Sequence, residues 1–543
     1  MVRILDLPAE LFHEILIFAC LVRGVRRALR LNLVSTAFQR ALQPALFASG
    51  LLDAFHGYGV GETLALWQVK HYPQSKVQLW HQYIAHRIGN ATVLNEKPYQ
   101  GPDWERRLLL TRRVGEAYCE LSGSTCDVDW AARVRSELAW LVLDRAAGAP
   151  GESDWIRLQG EDRWELCRRD TGRLRMETYS LGVDLLSLAA HLNNIHLAKK
   201  LLSEGHCPSQ HNYLLPPATE TAAFAGHREM LLLLQEHLPD YDETSGPRRS
   251  GDDGLGYKSD TGALYGAALR GDLEMVKLAL YPPSRKNADD PKTSTDIFGY
   301  RWGCTRESFQ HSPADFIYYA VRATRDWPVF EYLISAFGWL RPNDEYTKFR
   351  CLYNQVNRGN MDMLTAMVHA DGFGFEEVFQ NNLCTLLRCA VRQCREDIVD
   401  YIFEHMGRQS SGIARHFASE CDCITQIIGG LDPDTGPPLP LLAAAAATGS
   451  VSMLKKLIDR GLRVEKGQDS GWHPALVAAL EQENLEMASV LLTLRGPSGR
   501  WRKKLLKRPE DCGLGGLSSA KAFIQAHWGN EHWQPGGRDK SQA

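Results

Sequence analysis

Cysteine and histidine residues are the first candidates for chemistry in this sequence, because structural zinc sites usually use four Cys or His ligands. Cys421 and Cys423 flank Asp422, and His405 and His416 lie nearby. The paired Cys-x-x-Cys spacing typical of a zinc site is missing, however. We therefore interpret these residues as reduced cysteines in a loop or helix and expect no metal.

Other groups with chemical potential are equally isolated. Cys384, Cys389 and Cys394 are five residues apart, which spreads them around a helix instead of collecting them on one side. The acidic pair Glu376–Glu377 lacks nearby partners for acid–base catalysis, and Gly57–Gly61 lacks the Gly-Lys-Ser/Thr ending of a phosphate loop. We expect a protein that is not an enzyme, with no cofactor and no catalytic residue. An unrecognised site between residues 50 and 179 is the remaining catalytic alternative.

Charge and composition favour a protein partner. Lys plus Arg number 62 and Asp plus Glu 65, giving a net charge of −3, so there is no overall attraction to nucleic acid or anionic lipid. The 13 cysteines are scattered along the chain, which favours a reducing compartment. The apolar run Ile15–Val22 follows acidic residues instead of a basic leader, and prolines interrupt the uncharged segment Thr435–Leu454. We expect no nucleic acid, no membrane association, and a cytoplasmic and/or nuclear location.

An internal repeat sets the expected fold. Leu185–Gly205 aligns with Ala218–Leu238 at an offset of 33 residues, and Ala263–Leu280 repeats the same pair of alanines. Weaker copies follow. Across all copies, turns are expected near residues 193, 226, 271, 325, 359, 394, 449 and 483. Each copy predicts a short helix with small residues, a tight turn and a second helix with an apolar stripe. Such units bury their apolar faces by stacking.

The repeat resembles the ankyrin family. Ala222–His237, AAFAGHREMLLLLQEH, is similar to the ankyrin unit, which has two helices and a period of about 33 residues. The usual Thr-Pro-Leu-His opening is degraded, with Pro217, Pro440 and Pro474 standing where the family normally has Thr. Long insertions rich in Gly, Pro, Ser or Asp interrupt the period and are expected to be loops: Tyr241–Lys258, Pro282–Ser312 and Arg408–Pro438.

The amino terminus predicts a small helical unit. Asp6 is a plausible N-cap, with Pro8 in the first turn of an amphipathic helix. A second helix is expected over Arg27–Gln43 and should be closed by Pro44. The apolar face of the first helix consists of Leu11, Ile15, Leu16 and Phe18.

This unit resembles the F-box. Leu7-Pro8-Ala9-Glu10, Ile15-Leu16 and Val34-Ser35-Thr36-Ala37-Phe38 match that family's signature in order. The resemblance implies docking onto a Skp-type subunit and, through it, a cullin ubiquitin ligase. By carry-over, the docking residues are Leu7, Pro8, Leu11, Ile15, Leu16 and Val34. The same residues could instead form an internal core.

Together these features predict an all-α protein that resembles fungal-like F-box proteins with ankyrin repeats. We expect an F-box-like unit at 1–48, a helical spacer at 49–180, an array of about eight degenerate units at 181–496, and a cap helix with a flexible tail at 497–543. The expected function is a non-catalytic substrate receptor in the ubiquitin conjugation pathway, with the array selecting an unknown protein target. The alternative is an ankyrin-repeat scaffold without ligase association. Substrate-binding residues are not assigned.

Overall fold

The computed structural model describes residues 4–28, 31, 34–52, 74–90, 103–122, 128–147, 180–210, 214–238, 261–280, 282–283, 320–321, 324–337, 345–370, 372–407, 441–460, 469–494 and 518–528. Within these ranges the protein contains 22 α-helices and no strand. The predicted all-α fold is therefore confirmed.

The helices follow one another in chain order. A short 3-10 turn over Ile4–Asp6 precedes the first of them. The helices of the amino-terminal half are α1 (Ala9–Ala28), α2 (Thr36–Ala48), α3 (Gln74–Asn90), α4 (Asp103–Leu121), α5 (Val128–Ala147), α6 (Leu181–His191), α7 (Ile195–Ser203), α8 (Ala218–Ala225), α9 (Arg228–Glu236), α10 (Thr261–Arg270) and α11 (Leu273–Leu280). Those that follow are α12 (Trp327–Phe337), α13 (Glu345–Arg358), α14 (Met361–His369), α15 (Phe375–Asn381), α16 (Leu383–Arg392), α17 (Glu396–Gly407), α18 (Leu441–Thr448), α19 (Val451–Asp459), α20 (Asp469–Glu481), α21 (Leu485–Leu494) and α22 (Ser518–Trp528).

The chain divides into two compact units. One unit consists of Met1–Tyr58, His71–Pro73 and Leu383–Ala543. The other consists of Gly59–Lys70 and Gln74–Asn382. The first therefore contains α1, α2 and α16 to α22, and the second contains α3 to α15.

Helix pairs stack in the second unit through their first members. Helix α6 packs against α8, and α8 packs against α10. The paired alanines that define the repeat are all buried at these seams: Ala189, Ala190, Ala222, Ala223, Ala267 and Ala268. Small side chains allow the helices to approach closely, while the second helix of each pair buries an apolar stripe, as Met230, Leu231 and Leu234 do in α9.

The same arrangement occurs in the other unit. Helix α16 packs against α18, and α18 packs against α20, while the second helices α19 and α21 also contact each other. Helix α18 is almost entirely Ala and Leu, and four consecutive alanines, Ala443–Ala446, are buried in it. Both units are therefore helical and compatible with a repeat array.

Tight turns join the two helices of each pair at the predicted positions. Backbone φ is positive at seven of the eight expected turns: Asn193, Gly226, Gly271, Gly359, Cys394, Gly449 and Glu483. The eighth turn lies at 324–326, where Thr324 Oγ1 accepts a hydrogen bond from the Asp326 backbone N–H at 3.4 Å. In several turns the next side chain caps the second helix, as Asn194 does by accepting from Leu197 N–H at 3.1 Å.

Three described helices of the predicted spacer, α3, α4 and α5, belong to the second unit. Helices α3, α4 and α5 pack on one another, and α4 also packs against α6. Two polar contacts join them to the first repeat. Asn194 Nδ2 donates to Tyr118 Oη at 3.2 Å, and His191 Nε2 lies 3.1 Å from a carboxylate oxygen of Glu137.

Charged side chains join two second helices in the other unit. Asp400 of α17 accepts from Lys456 Nζ at 2.6 Å and from an Arg460 guanidinium nitrogen at 2.9 Å, both on or next to α19. Ser452 Oγ donates to a Glu396 carboxylate oxygen at 2.8 Å. These bonds hold α17 against α19. In the sequence, the 33 residues 408–440 and helix α18 lie between them.

The helix boundaries at the amino terminus differ from the prediction. Helix α1 starts at Ala9 and continues to Ala28, so Asp6 ends the preceding 3-10 turn and is not the N-cap. Helix α2 covers Thr36–Ala48 instead of the predicted Arg27–Gln43, because α1 continues to Ala28 and Ser35 caps α2. It also includes Pro44, which the sequence suggested would close it. Burial of Ala45, Leu46 and Phe47 beyond the proline accounts for this continuation, because these side chains stabilise the last turn.

Several sequence candidates lie outside the described residues. They are Gly57–Gly61, His416, Cys421–Cys423 and the loops Tyr241–Lys258 and Arg408–Pro438. Of the loop Pro282–Ser312, only the first two residues are described.

The seam between α8 and α10 gives a direct test of the stacking. A Cβ atom added to Gly266 would overlap the backbone carbonyl oxygen of Glu220. Gly266→Ala should therefore lower the free energy of unfolding by about 1–3 kcal/mol, measured by thermal unfolding and by hydrogen exchange in α8 and α10. The matched control is Gly89→Ala in α3, where the nearest atom is the Arg135 side-chain Nε at 3.5 Å. Equal stability of both variants would contradict close packing at this seam.

Candidate functional site

The first candidate site is built on the helix pair α1 and α2. These two helices pack against each other. Their buried residues include Leu16 and Cys20 from α1 and Leu42 and Leu46 from α2. The rings of Phe12 and Phe38 meet edge to face with centroids 5.2 Å apart.

Local hydrogen bonds define both ends of α2. Ser35 is its N-cap, and its hydroxyl accepts from the Phe38 backbone N–H at 3.4 Å. At the other end Ser49 N–H donates to the Ala45 carbonyl oxygen at 2.9 Å, and Ser49 Oγ donates to the Leu46 carbonyl oxygen at 2.7 Å. These bonds satisfy backbone groups that a helix leaves unpaired at its termini.

Helix α1 presents a line of apolar side chains to solvent. Leu11 is 54% exposed, Ile15 40%, Phe18 63% and Val22 80%. Spacings of four, three and four residues place these four within roughly 60° of the helix circumference, at about 100° per residue. We call Leu11, Ile15, Phe18 and Val22 the apolar stripe. Four more of the exposed large apolar side chains of the described residues belong to the same amino-terminal segment: Ile4, Leu5, Leu21 and Val34.

The structure separates the six predicted docking residues by exposure. Pro8, Leu11, Ile15 and Val34 are exposed, and Leu7 is partly exposed. Leu16 is only 1% exposed and belongs to the buried core of the helix pair. The prediction therefore combined one core residue with five that solvent can reach. It omitted Leu21 and Val22 from the apolar face, although the spacing of the stripe already indicates Val22.

Burial makes Cys20 a packing residue. Desolvation raises the pKa of its thiol to about 11, so the thiol stays protonated at neutral pH. A protonated thiol is a poor nucleophile and a poor metal ligand. Cys20 therefore contributes apolar surface to the contact between α1 and α2.

Among the residues that the structure describes, no three His, Cys, Asp or Glu side chains come together so that they could hold a metal ion. Cys389 is buried in α16, while Cys384 and Cys394 are partly exposed. None of the helices described here combines the length and apolarity needed to cross a membrane.

Side chains at the turns form a second feature, which we call the turn ladder. In each case the side chain near one turn bonds the backbone of the preceding turn. His227 Nε2 lies 2.9 Å from the His191 carbonyl oxygen, and Arg270 donates to the Ala225 carbonyl oxygen at 2.9 Å. Further rungs are Asn360 to Arg325 O at 2.8 Å, Gln482 to Ala446 O at 3.0 Å and Asn484 to Gly449 O at 3.1 Å.

The ladder has a physical cause in the unpaired carbonyl groups at the end of each first helix. At the rungs named above, a side chain from the following pair supplies the missing donor, so these pairs are joined to their neighbours by polar bonds. The edge of each stack is consequently a fixed row of turns. Such a row can present the side chains at the turn tips in a constant spacing.

His227 is the titratable member of the ladder with a perturbed proton affinity. Burial lowers its pKa most; the bond to the His191 carbonyl opposes this, and the nearby His191 and Arg270 lower the pKa further. In the geometry observed, His227 Nε2 donates its proton to that carbonyl oxygen, a role the neutral ring can fulfil.

Neither the family models nor the curated proteins include one that matches this chain.

The burial difference within α1 predicts stability effects of different size for two leucines. Leu16→Ala should lower the free energy of unfolding by about 2–5 kcal/mol, because it leaves a cavity in the core. Leu11→Ala should change it by less than about 0.5 kcal/mol, because Leu11 is exposed. Hydrogen exchange of α1 and α2 measures both variants. A large loss of protection in the Leu11 variant would show that the stripe is internal core.

The lowered pKa of His227 predicts acid sensitivity. As pH falls below about 6.5, the unfolded chain takes up a proton at this position before the folded chain does, so the unfolded state is favoured. His227→Gln should therefore reduce the decline in Tm between pH 7.5 and 5.5. His196→Gln, at an exposed position of α7, is the matched control. If both variants keep the native pH slope, His227 is not a source of the acid sensitivity.

Proposed function

We propose that this chain is a non-catalytic adaptor, the substrate receptor of a Skp-cullin-F-box ubiquitin ligase. The observation that carries the proposal is the apolar stripe of α1, which includes Leu11 and Ile15. Both belong to the residues that the F-box resemblance assigns to docking on a Skp-type subunit. Their exposure in the folded chain supports a surface that a partner covers.

The energetics of the stripe favour a protein partner. Exposed large apolar side chains in contiguous patches mark interaction sites. Burying a leucine, isoleucine or phenylalanine side chain contributes roughly 1.5–3 kcal/mol each. Leu16 and Cys20 face the core, so the helix pair retains its own packing while the stripe remains available for docking.

In this proposal the stacked helix pairs select the protein target. Ankyrin-type repeats would supply the target surface, and the turn ladder would keep its spacing constant. The proposal is consistent with the buried alanine seams, which allow neighbouring pairs to pack closely. Exposed side chains on such arrays determine the target, and we assign none of them to a substrate.

A scaffold without ligase association is the second candidate. One observation favours it: Met1–Tyr58 belongs to the same compact unit as Leu383–Ala543. Under this proposal α1 and α2 cap the helices of that unit and the array holds another protein without ubiquitin transfer. For either candidate we propose a cytoplasmic and/or nuclear location.

Co-purification of the full chain with a Skp-type subunit separates the two candidates. The native chain should bind, and the double variant Leu11→Asp, Ile15→Asp should lose at least about tenfold in affinity, because two charges would enter an apolar contact. The control is Leu485→Asp, which places the same charge on an exposed leucine at the start of α21.

Circular dichroism and Tm must show that all three proteins are folded. Failure of the native chain to bind would favour the scaffold. Binding by the native chain and the double variant with equal affinity would contradict docking through the stripe.

A further inference from the structure

Helix α6 begins the stack of helix pairs in the second unit, yet its central part has no side that faces solvent. Val183–Ala190 are eight consecutive residues, and all of them are buried. Eight residues pass about twice around the axis of an α-helix. Helices α7 and α8 contact α6, but the first pair of a stack has a following pair on one side only. The burial on all sides therefore requires a further element against α6.

Helices α4 and α5 of the spacer provide that element. Helix α4 packs against both α6 and α5. Val114 and Tyr118 are buried in α4, and Leu138 is buried in α5. The approach of α4 to α5 is close, because a Cβ atom added to Gly115 would lie 3.1 Å from Leu138 Cδ1. The two helices thus form a packed pair that adjoins the first pair of the stack.

Polar contacts continue from this pair into the stack. Asn194 Nδ2 donates to Tyr118 Oη at 3.2 Å, and the side-chain oxygen of Asn194 caps α7. His191 Nε2 lies 3.1 Å from a carboxylate oxygen of Glu137 in α5. The carbonyl oxygen of His191 is in turn 2.9 Å from His227 Nε2 in the second pair. The ends of α6 and α7 at their common turn are therefore bonded to the spacer on one side and to the next pair on the other.

We propose that α4 and α5 are the amino-terminal cap of the repeat stack, and that the first helix pairs stay ordered only while this cap is docked. The stability of a stacked array is the sum of the stability of each pair and of its contacts with neighbours, so an end pair depends on what covers it. Opening of the cap would expose the buried face of α6. The loss of order should be greatest in α6 and α7 and should decrease towards α10 and α11.

This role goes beyond the proposed function and holds for either candidate, because it concerns the chain's own stack and no partner. It gives the spacer control over the pairs that would contact a target. A spacer that merely links two parts of the chain would open and close without an effect on α6 and α7.

Hydrogen exchange of the native full chain at increasing denaturant tests the cap without any variant. The amides of α4 and α5 should become exposed in the same step as those of α6 and α7, with the same dependence on denaturant. Exposure of α4 and α5 at a lower denaturant concentration, while α6 and α7 keep their protection, would overturn the proposal.

A pair of matched variants tests the direction of the effect. Tyr118→Ala removes a buried aromatic ring from the cap and should raise the exchange rates of α6 and α7 by at least about tenfold, with a smaller rise in α10 and α11. Phe379→Ala removes a buried ring from α15 of the same unit and should raise the rates of α13 to α15 more than those of α6 and α7. An equal rise in α6 and α7 in both variants, or none in the Tyr118 variant, would contradict a cap.

Discussion

Close approach between successive first helices is the constraint on which the stacked parts of this structure depend. Large side chains at the seams would push the helices apart, and the apolar faces of the second helices would then be exposed to solvent. Ala222 and Ala223 on α8, Gly266 on α10 and the alanines of α18 keep the seams narrow. The turn ladder follows from this proximity, because a side chain such as His227 reaches the preceding carbonyl group only when neighbouring pairs are close.

The amino-terminal helix pair, α1 and α2, differs from the stacked pairs in its core and in its exposed surface. Two helices have little core, and here Leu16, Cys20, Leu42 and Leu46 provide it. The opposite side of α1 keeps apolar residues in contact with water, which costs free energy as long as they remain uncovered. We regard this cost as the physical argument for a partner, and the motif resemblance as the argument for which partner it is.

The sequence predicted the parts of the fold that depend on local signals. Glycine at 226, 271, 359 and 449 and asparagine at 193 indicated turns, because these residue types adopt positive φ at lower cost than most others. A helical spacer was likewise predicted, and α3, α4 and α5 lie in it. Pro44 inside α2 was not, because burial of Ala45, Leu46 and Phe47 overrides a local helix-ending signal.

Contacts between residues far apart in the sequence could not be predicted from local sequence signals. Nothing in local spacing indicates that Asn194 bonds Tyr118 or that Lys456 and Arg460 meet Asp400 across the sequence between α17 and α18. The sequence also left open whether Leu16 is buried, because a leucine beside Ile15 has the same chemistry whether it faces α2 or solvent. Resemblance to a motif assigns residue types to a role, and only the packing separates core from surface.

The most direct measurement of the central claim is calorimetric titration of the purified full chain with a purified Skp-type subunit at several temperatures. The account predicts saturable one-to-one binding with a negative heat-capacity change, because the apolar stripe leaves water on docking. Absence of binding would contradict the adaptor. Binding with a heat-capacity change near zero would contradict docking through the stripe.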